Sequence, residues 1–327
     1  MTVFLTGATG FLGSVVARTL LSEGFRVRAI HRTRSSFDLL EDIKGEIEWI
    51  EGDVLDPESL EQGMMGVDGV FHCAAFLGFE GKRSEKQLMD VNVTGTANVV
   101  DAALTKGVSR LLHISSVAAL GRSEDEHKCQ DESAVWQVSK LNTGYALSKY
   151  RAEMEIHRGI AGGLEAVMVN PSLIMGAGRK GENTMQIADK LIAGRLPVLP
   201  SGGTNVVDVK DVAEGALKAY RRGSVGHRYL LTGHNMLWKE IIGTIASTLG
   251  AKAPTREVSA GMMLVVAALF EFGARISGTN PLLTRETARL SASISCYDNT
   301  KAREELECSF RSFESTAAAI ASVYGLG

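Results

Sequence analysis

The chain has 327 residues, 45% of them hydrophobic and 22% charged, with a net charge of −3. That length allows one large core or two modest ones, and the slightly acidic balance leaves no basic surplus for holding nucleic acid. The longest apolar run, residues 262–270, is shorter than the roughly 20 residues a membrane span needs, and it reads as a buried helix. From the N-terminus, Val3, Phe4 and Leu5 form the apolar run of a buried parallel strand. Thr6-Gly7-Ala8-Thr9-Gly10-Phe11-Leu12-Gly13 follows. A helical pattern comes next, with Leu12, Val15, Val16 and Leu20 on one face and Gly24 as its stop. Strand, glycine-rich turn and helix are the setting of a dinucleotide fingerprint. Gly7 turns the chain off the strand, Gly10 lets backbone approach a pyrophosphate, and Gly13 lets the helix sit close on the sheet. The helix N-terminus offers free N–H groups and a positive dipole end to the phosphates.

A second strand is expected over residues 26–30, followed by His31-Arg32-Thr33-Arg34-Ser35-Ser36. In a dinucleotide fold this place meets the adenosine ribose. No acid stands there for a free 2′-hydroxyl, whereas Arg32 and Arg34 offer charge to a 2′-phosphate, so NADP is expected in preference to NAD. A third strand, Ile47–Glu51, leads to Asp53 and Val54, with Asp53 a candidate acceptor for the adenine amino group. Asp56 and Pro57 then start a helix. A fourth strand, Gly69–His72, runs into Cys73-Ala74-Ala75, small residues against which a cofactor can lie. His72 reads as structural rather than as a base.

Residues 84–106 read as one long helix, although Asn92 and Gly95 inside it are poor helix formers and point to a packing or hydrogen-bonding role. A fifth strand, Arg110–Ile114, delivers Ser115 and Ser116 at its carboxyl end. A polar loop, 121–140, precedes Tyr145-Ala146-Leu147-Ser148-Lys149 on a helix. A sixth strand, 166–169, closes with Asn170-Pro171-Ser172. This alternation implies an α/β fold with a doubly wound parallel sheet (a Rossmann architecture). The rhythm then breaks around one short helix, Met185–Ile192. A strand over 205–209, a helix over 212–220 and a further sheet strand, Arg228–Leu231, precede a mostly helical remainder. The expected division is a dinucleotide-binding domain over 1–175, a substrate lobe over 176–204, a return to the first domain over 205–235, and mainly substrate lobe over 236–327. Cys73, Cys129, Cys296 and Cys308 are scattered without metal spacing, so a reduced, cytoplasmic chain is expected, with no signal peptide ahead of the first strand.

Tyr145 and Lys149 share one helical face. A free phenol, with a pKa of about 10, is a poor acid–base catalyst at neutral pH. The nearby ammonium is expected to lower that value, so that Tyr145 passes a proton to or from a carbonyl oxygen while hydride moves. Lys149 is also placed to hold the nicotinamide ribose, and Ser116 to hydrogen-bond the reacting oxygen.

Thr6 to Gly13, His72-Cys73-Ala74-Ala75, Ile114-Ser115-Ser116 and Tyr145-Ala146-Leu147-Ser148-Lys149 together resemble the motifs of the extended short-chain dehydrogenase/reductases. Asn170-Pro171-Ser172 and Asp208-Val209-Lys210-Asp211-Val212-Ala213 carry the resemblance further. Within that family the chain is most similar to the dihydroflavonol-4-reductase-like branch, which includes bacterial members described as hopanoid-associated sugar epimerases. The resemblance implies Ser116, Tyr145 and Lys149 as the catalytic triad, with Ser116 preferred over Ser115 because the active serine stands five residues before a glycine, here Gly121. It implies cofactor contacts from Gly7, Thr9, Gly10, Phe11, Leu12, Gly13, Arg32, Asp53, Val54, Ala74, Ala75, Tyr145, Lys149, Pro171 and Ser172. It also implies a relay water held by the backbone of Asn92, and a homodimer built on the helices containing Ser84 and Tyr145.

Departures from the pattern narrow the chemistry. Val117 and Ala118 follow Ser116 where sugar-nucleotide dehydratases carry acids, which argues against dehydration. Gly203-Thr204-Asn205-Val206 lacks the arginine that UDP-sugar epimerases use for the diphosphate, leaving Arg179, Arg275, Arg285 or Arg289 for any phosphate. Gly121 replaces the asparagine of plant flavonoid reductases. The expected activity is NADP-dependent reduction of a ketone or aldehyde, or oxidation of a secondary alcohol, on a small molecule. Met175 and residues 262–270 hint that this molecule is apolar. The alternatives are an epimerase acting through a transient ketone with retained cofactor, and an NADP-binding sensor without turnover. The complete triad argues against the sensor. Neither a nucleic-acid partner, nor a membrane span, nor a metal site is expected.

Overall fold

Seven short, apolar strands pair in parallel in the computed structural model, which describes residues 1–78, 81–122, 128–139, 141–182, 184–265, 267–268 and 285–326. In chain order these strands are β1 (Thr2–Thr6), β2 (Arg26–His31), β3 (Ile47–Glu51), β4 (Gly69–His72), β5 (Arg110–Ile114), β6 (Glu165–Pro171) and β10 (Arg228–Leu231). Their order across the sheet is β10-β6-β5-β4-β1-β2-β3. The direction of winding reverses between β1 and β4. At such a switch point the connecting loops leave in opposite directions and open a crevice at the carboxyl ends of the strands.

Alternation along the strands sends side chains to two buried faces. On one face Val3, Leu5 and Phe71 pack against Val16 and Leu20 of α1 (Phe11–Ser22) and Ala216 of α7 (Val209–Arg222). On the other, Phe4, Val70 and Leu111 pack against Leu60 of α2 (Pro57–Gly63), Val99 of α4 (Gly95–Thr105) and Ile156 of α5 (Gly144–Ala161). Phe4 and Leu5 are fully buried, as expected for a parallel strand covered by helices on both sides.

The long helix expected from residue 84 is broken in register. α3 (Gly81–Leu88) passes through a π-helical segment, Met89–Thr94, before α4. A π turn carries an extra residue and is often found at functional sites.

The remaining strands, β7 (Leu173–Met175), β8 (Leu199–Pro200), β9 (Gly203–Asp208), β11 (His234–Leu237) and β12 (Glu257–Val258), lie outside the central sheet. They form a three-stranded sheet, β11-β9-β7, and a two-stranded pair, β12-β8. The expected strand near residue 205 therefore exists, but it pairs with β7 and β11 rather than extending the large sheet. A third core joins Met175, α6 (Met185–Ile192), α8 (Trp238–Thr248) and the helix Phe313–Ser322, with Ile241, Ile245 and Ile320 at its centre. Asp208 caps α7, accepting from the Lys210 N–H at 2.7 Å, and accepts from Thr316 Oγ1 at 2.8 Å. Asp211 receives the Arg311 main-chain N–H at 2.7 Å and pairs with its guanidinium. The acids of that motif thus tie α7 to the C-terminal segment.

Two expectations are corrected. Cys129 and Cys296 form a disulfide, with Cα atoms 4.4 Å apart, because Gln130 and Tyr297 bridge in parallel and bring the two cysteines alongside each other. Cys73 and Cys308 are free. The apolar run from residue 262 is only half covered: Met263 and Ala267 are buried, while Met262 and Val265 are exposed. Residues 266, 269 and 270 of that run lie outside the described residues. Among the described residues, no helix is long and apolar enough to cross a membrane.

Candidate active site

The glycine loop shows why three glycines are needed. Gly7 has φ +73°, a conformation that side chains disfavour, and a Cβ there would stand 2.7 Å from the Ala74 nitrogen. The Gly10 N–H donates to the Gly7 carbonyl at 3.0 Å. A Cβ on Gly13 would lie 2.0 Å from that same carbonyl, so α1 closes onto the loop itself. Gly10 differs, because a Cβ there would meet only the Gly7 oxygen, at 3.3 Å. Gly10 is also the N-cap of α1 and supplies no side-chain cap, which leaves the first-turn N–H groups available to an anion. The cradle fits a dinucleotide pyrophosphate.

Ser116 stands just past β5 as the N-cap of a short turn. Its Oγ accepts from the Ala118 N–H at 3.1 Å, which leaves its own proton free to donate. Tyr145 and Lys149 project from α5, one turn apart, and the Tyr145 hydroxyl faces Ser116. Lys149 is buried and its Nζ donates to the Ile114 carbonyl at 2.8 Å. Burial pushes the Tyr145 phenol up to about 12, with the nearby Ser116 hydroxyl pulling against it. The lowering expected from Lys149 is not the dominant effect, since the ammonium is engaged with the end of β5. Burial brings Lys149 itself down to about 8, and the charge of Glu153 opposes that fall.

The neutral His72 ring is fixed by a chain of donors. The Ala74 N–H donates to Thr6 Oγ1 at 3.1 Å, so the Thr6 proton goes to His72 Nδ1 at 2.7 Å. His72 Nε2–H then donates to Thr96 Oγ1 at 2.9 Å, and Thr96 donates to the Asn92 carbonyl at 2.6 Å. Burial holds His72 down to about 3, and the adjacent His113 is likewise lowered by burial. Cys73, at the end of β4, is pushed up to about 12 by burial.

The family model for the NAD dependent epimerase/dehydratase family matches residues 3–231. The chain belongs to that family. It is an NAD(P)-dependent oxidoreductase of the extended short-chain dehydrogenase/reductase type. It is 35% identical to a putative dihydroflavonol 4-reductase from Synechocystis, over 93% of this chain and 88% of that protein. It is 30% identical to sterol demethylase protein B from Methylococcus capsulatus, over 94% and 93% of the two chains. The crystal structure of gox2253 superposes with a TM-score of 0.85 at 33% identity, covering 99% of this chain and 98% of that one.

Against the family's pattern, the predicted residues sort into three groups. Gly7, Gly10, Gly13 and Ala74 come together at the β1–β4 switch point, as do Ser116 and Tyr145 at the end of β5. Arg32 and Arg34 are exposed at the carboxyl end of β2, and neither makes an ion pair among the described residues. Other side chains are engaged elsewhere. Asp53 Oδ1 accepts from the Leu55 N–H at 3.0 Å, Val54 is buried against α4, and Ser172 Oγ donates to Asn205 Oδ1 at 2.6 Å. Arg179 is likewise committed, to Asp38 at 2.6 Å and the Thr9 carbonyl at 2.9 Å. It fastens the segment after β7 to the glycine loop and to the loop after β2. Arg289 is exposed, Arg275 lies outside the described residues, and the Arg285 side chain is not among those described.

The support beneath the triad comes from Asn92, for which the sequence suggested a packing or hydrogen-bonding role, and from Glu153, which sequence reasoning missed. The Asn92 side chain accepts from the Phe76 N–H at 2.7 Å and donates to Ser148 Oγ at 2.9 Å, joining the segment after β4 to α5. Glu153, a turn beyond Lys149, is buried and accepts from Ser115 and Asn170. The four-residue spacing of Tyr145, Lys149 and Glu153 was the available signal.

Proposed function

We propose that this protein is an NADP-dependent reductase of a ketone or aldehyde on a small, apolar molecule, with Ser116, Tyr145 and Lys149 as the reacting set. The meeting of Ser116, Tyr145 and Lys149 at the end of β5 carries the reading. A phenol held at about 12 is protonated at neutral pH, which suits delivery of a proton to a carbonyl oxygen rather than its removal. Ser116 donates to the same oxygen and steadies its developing charge. Lys149 brings a positive charge to the end of β5, one helical turn from Tyr145.

The glycine loop and the N-terminus of α1 would hold the pyrophosphate of NADP, with Arg32 and Arg34 on the 2′-phosphate. Tyr145 and Lys149 would face the nicotinamide end. When bound, the reduced nicotinamide supplies the hydride. The exposed arginines at the end of β2, without an ion pair among the described residues, support NADP over NAD. The names of the relatives from Synechocystis and Methylococcus, a reductase and a sterol-processing protein, support an apolar substrate.

Fluorescence titration of NADPH against NADH, followed by a carbonyl panel read as loss of nicotinamide absorbance, tests the proposal. NADPH should bind at least about tenfold tighter than NADH, and Tyr145→Phe should cut turnover by about 100-fold or more without weakening NADPH. Turnover that survives Tyr145→Phe, or failure to bind either cofactor, overturns it.

A further inference from the structure

We infer that Glu153 is a positioning residue for the Ser116–Tyr145–Lys149 centre: its buried carboxylate fixes the strand end that carries Ser116 and sets a negative charge beside Lys149. The inference rests on the reading of those three residues given above. Oε1 accepts from Ser115 Oγ at 2.5 Å and from Asn170 Nδ2 at 2.6 Å, while Oε2 faces Arg228 Nη1 at 3.4 Å. Asn170 Nδ2 and Arg228 Nη1 can only donate, so both carboxyl oxygens of Glu153 face obligate donors. The same Asn170 amide donates to the Ser116 carbonyl at 2.9 Å. One carboxylate thereby holds the Ser115 side chain directly and the Ser116 main chain through a single intermediate.

Packing alone does not call for a charge here, because a buried carboxylate is costly and an uncharged side chain of similar volume is often as stable. The charge has a use one turn away. Lys149 is buried, and its ammonium touches a neutral carbonyl, Ile114. The titratable groups facing it are His72 on β4, His113 on β5, Cys73 after β4, and Glu153 on its own helix. Burial keeps His72, His113 and Cys73 uncharged at neutral pH. Glu153 is therefore the anion that opposes the desolvation of Lys149. Arg228 completes the arrangement from β10, donating to the main chain of Glu132 at 3.0 Å, so the loop before α5 is gathered onto the same carboxylate.

The test is a lysine NMR titration of the full chain without cofactor, with the Lys149 signal assigned by Lys149→Arg. In Glu153→Gln the Lys149 midpoint should fall by about one pH unit, and in Glu153→Asp, which keeps the charge, it should stay near the wild-type value. An unmoved midpoint in a folded Glu153→Gln protein overturns the inference. Should that variant not fold, Glu153→Asp decides alone: a midpoint that falls as far as about one pH unit despite the retained charge refutes it. Turnover is read separately. Loss of activity in Glu153→Gln with NADPH affinity retained agrees with positioning, and the alkaline limb of kcat should move to lower pH. A wild-type protein that reduces no carbonyl would refute the reductase reading while leaving the NMR result to decide the role of Glu153.

Discussion

The buried histidine at the end of β4 makes the fold sensitive to acid in a way that can be calculated. His72 ordinarily titrates at 6.5, whereas in the folded chain burial holds it at about 3. Between those values the unfolded chain carries a proton that the native chain refuses, so stability must fall as pH falls. One such group costs about 1.4 kcal/mol per pH unit, or about 3 kcal/mol between pH 7.5 and pH 4. The cost is structural as well, because a protonated ring has a donor at Nδ1 where Thr6 already directs its own proton. The perturbation is His72→Gln, which does not titrate. The variant should be less stable at pH 7.5 by about 1–3 kcal/mol through the broken hydrogen-bond chain. Its stability should also depend less on pH. Urea unfolding followed by circular dichroism at half-unit steps from pH 7.5 to pH 4 measures both slopes. His113 stays in both proteins, so the difference in slope reports His72 together with its coupling to His113. Parallel curves for wild type and His72→Gln would refute the reasoning.

Four further outcomes are expected. Gly13→Ala should destabilise the chain by about 1–3 kcal/mol, since its Cβ would overlap the Gly7 carbonyl. Gly10→Ala, whose Cβ would meet only the Gly7 oxygen, at 3.3 Å, should lower melting temperature far less than Gly13→Ala and weaken NADPH, as calorimetry and titration would show. Arg32→Asp should shift the NADPH-to-NADH affinity ratio toward NADH by about tenfold or more, and an unchanged ratio would remove Arg32 from the 2′-phosphate site. Denaturation without reductant should expose two thiols, Cys73 and Cys308, and reduction of Cys129–Cys296 should cost about 2–4 kcal/mol of stability. Four titratable thiols in the unreduced protein would contradict the disulfide.

Much of the sheet was legible because its signals are local. Val3-Phe4-Leu5, the glycines after them and the helical face of Leu12, Val16 and Leu20 sit within one βα unit, and each later strand repeats that rhythm. The strands β3, β4, β5 and β10 have the bounds that their apolar runs suggest. What escaped depends on partners distant in sequence. Cys129 and Cys296 are separated by 167 positions and meet only through the bridge beside them. Strands of two or three residues such as β7 and β8 are too short for alternation to show. At the site, the spacing of Tyr145 and Lys149 was visible. The state of the phenol was not, because it depends on how deeply α5 is buried and on the Ile114 carbonyl that takes up the ammonium. Asn92 was legible as a flaw in a helix with a packing or hydrogen-bonding reason, but its partners, Phe76 and Ser148, were not.

That flaw also records how the helix is constrained. An α-helix advances about 100° per residue, so an extra residue in the Met89–Thr94 segment offsets everything before it from everything after. Removing one residue there would restore regular winding and rotate α3 by that angle relative to α4. Asn92 would leave Ser148, and Phe76 would lose the side chain that holds the segment after β4. Length in this segment is therefore as fixed as residue type. A single deletion there would unhook the crevice wall from the helix that carries Tyr145.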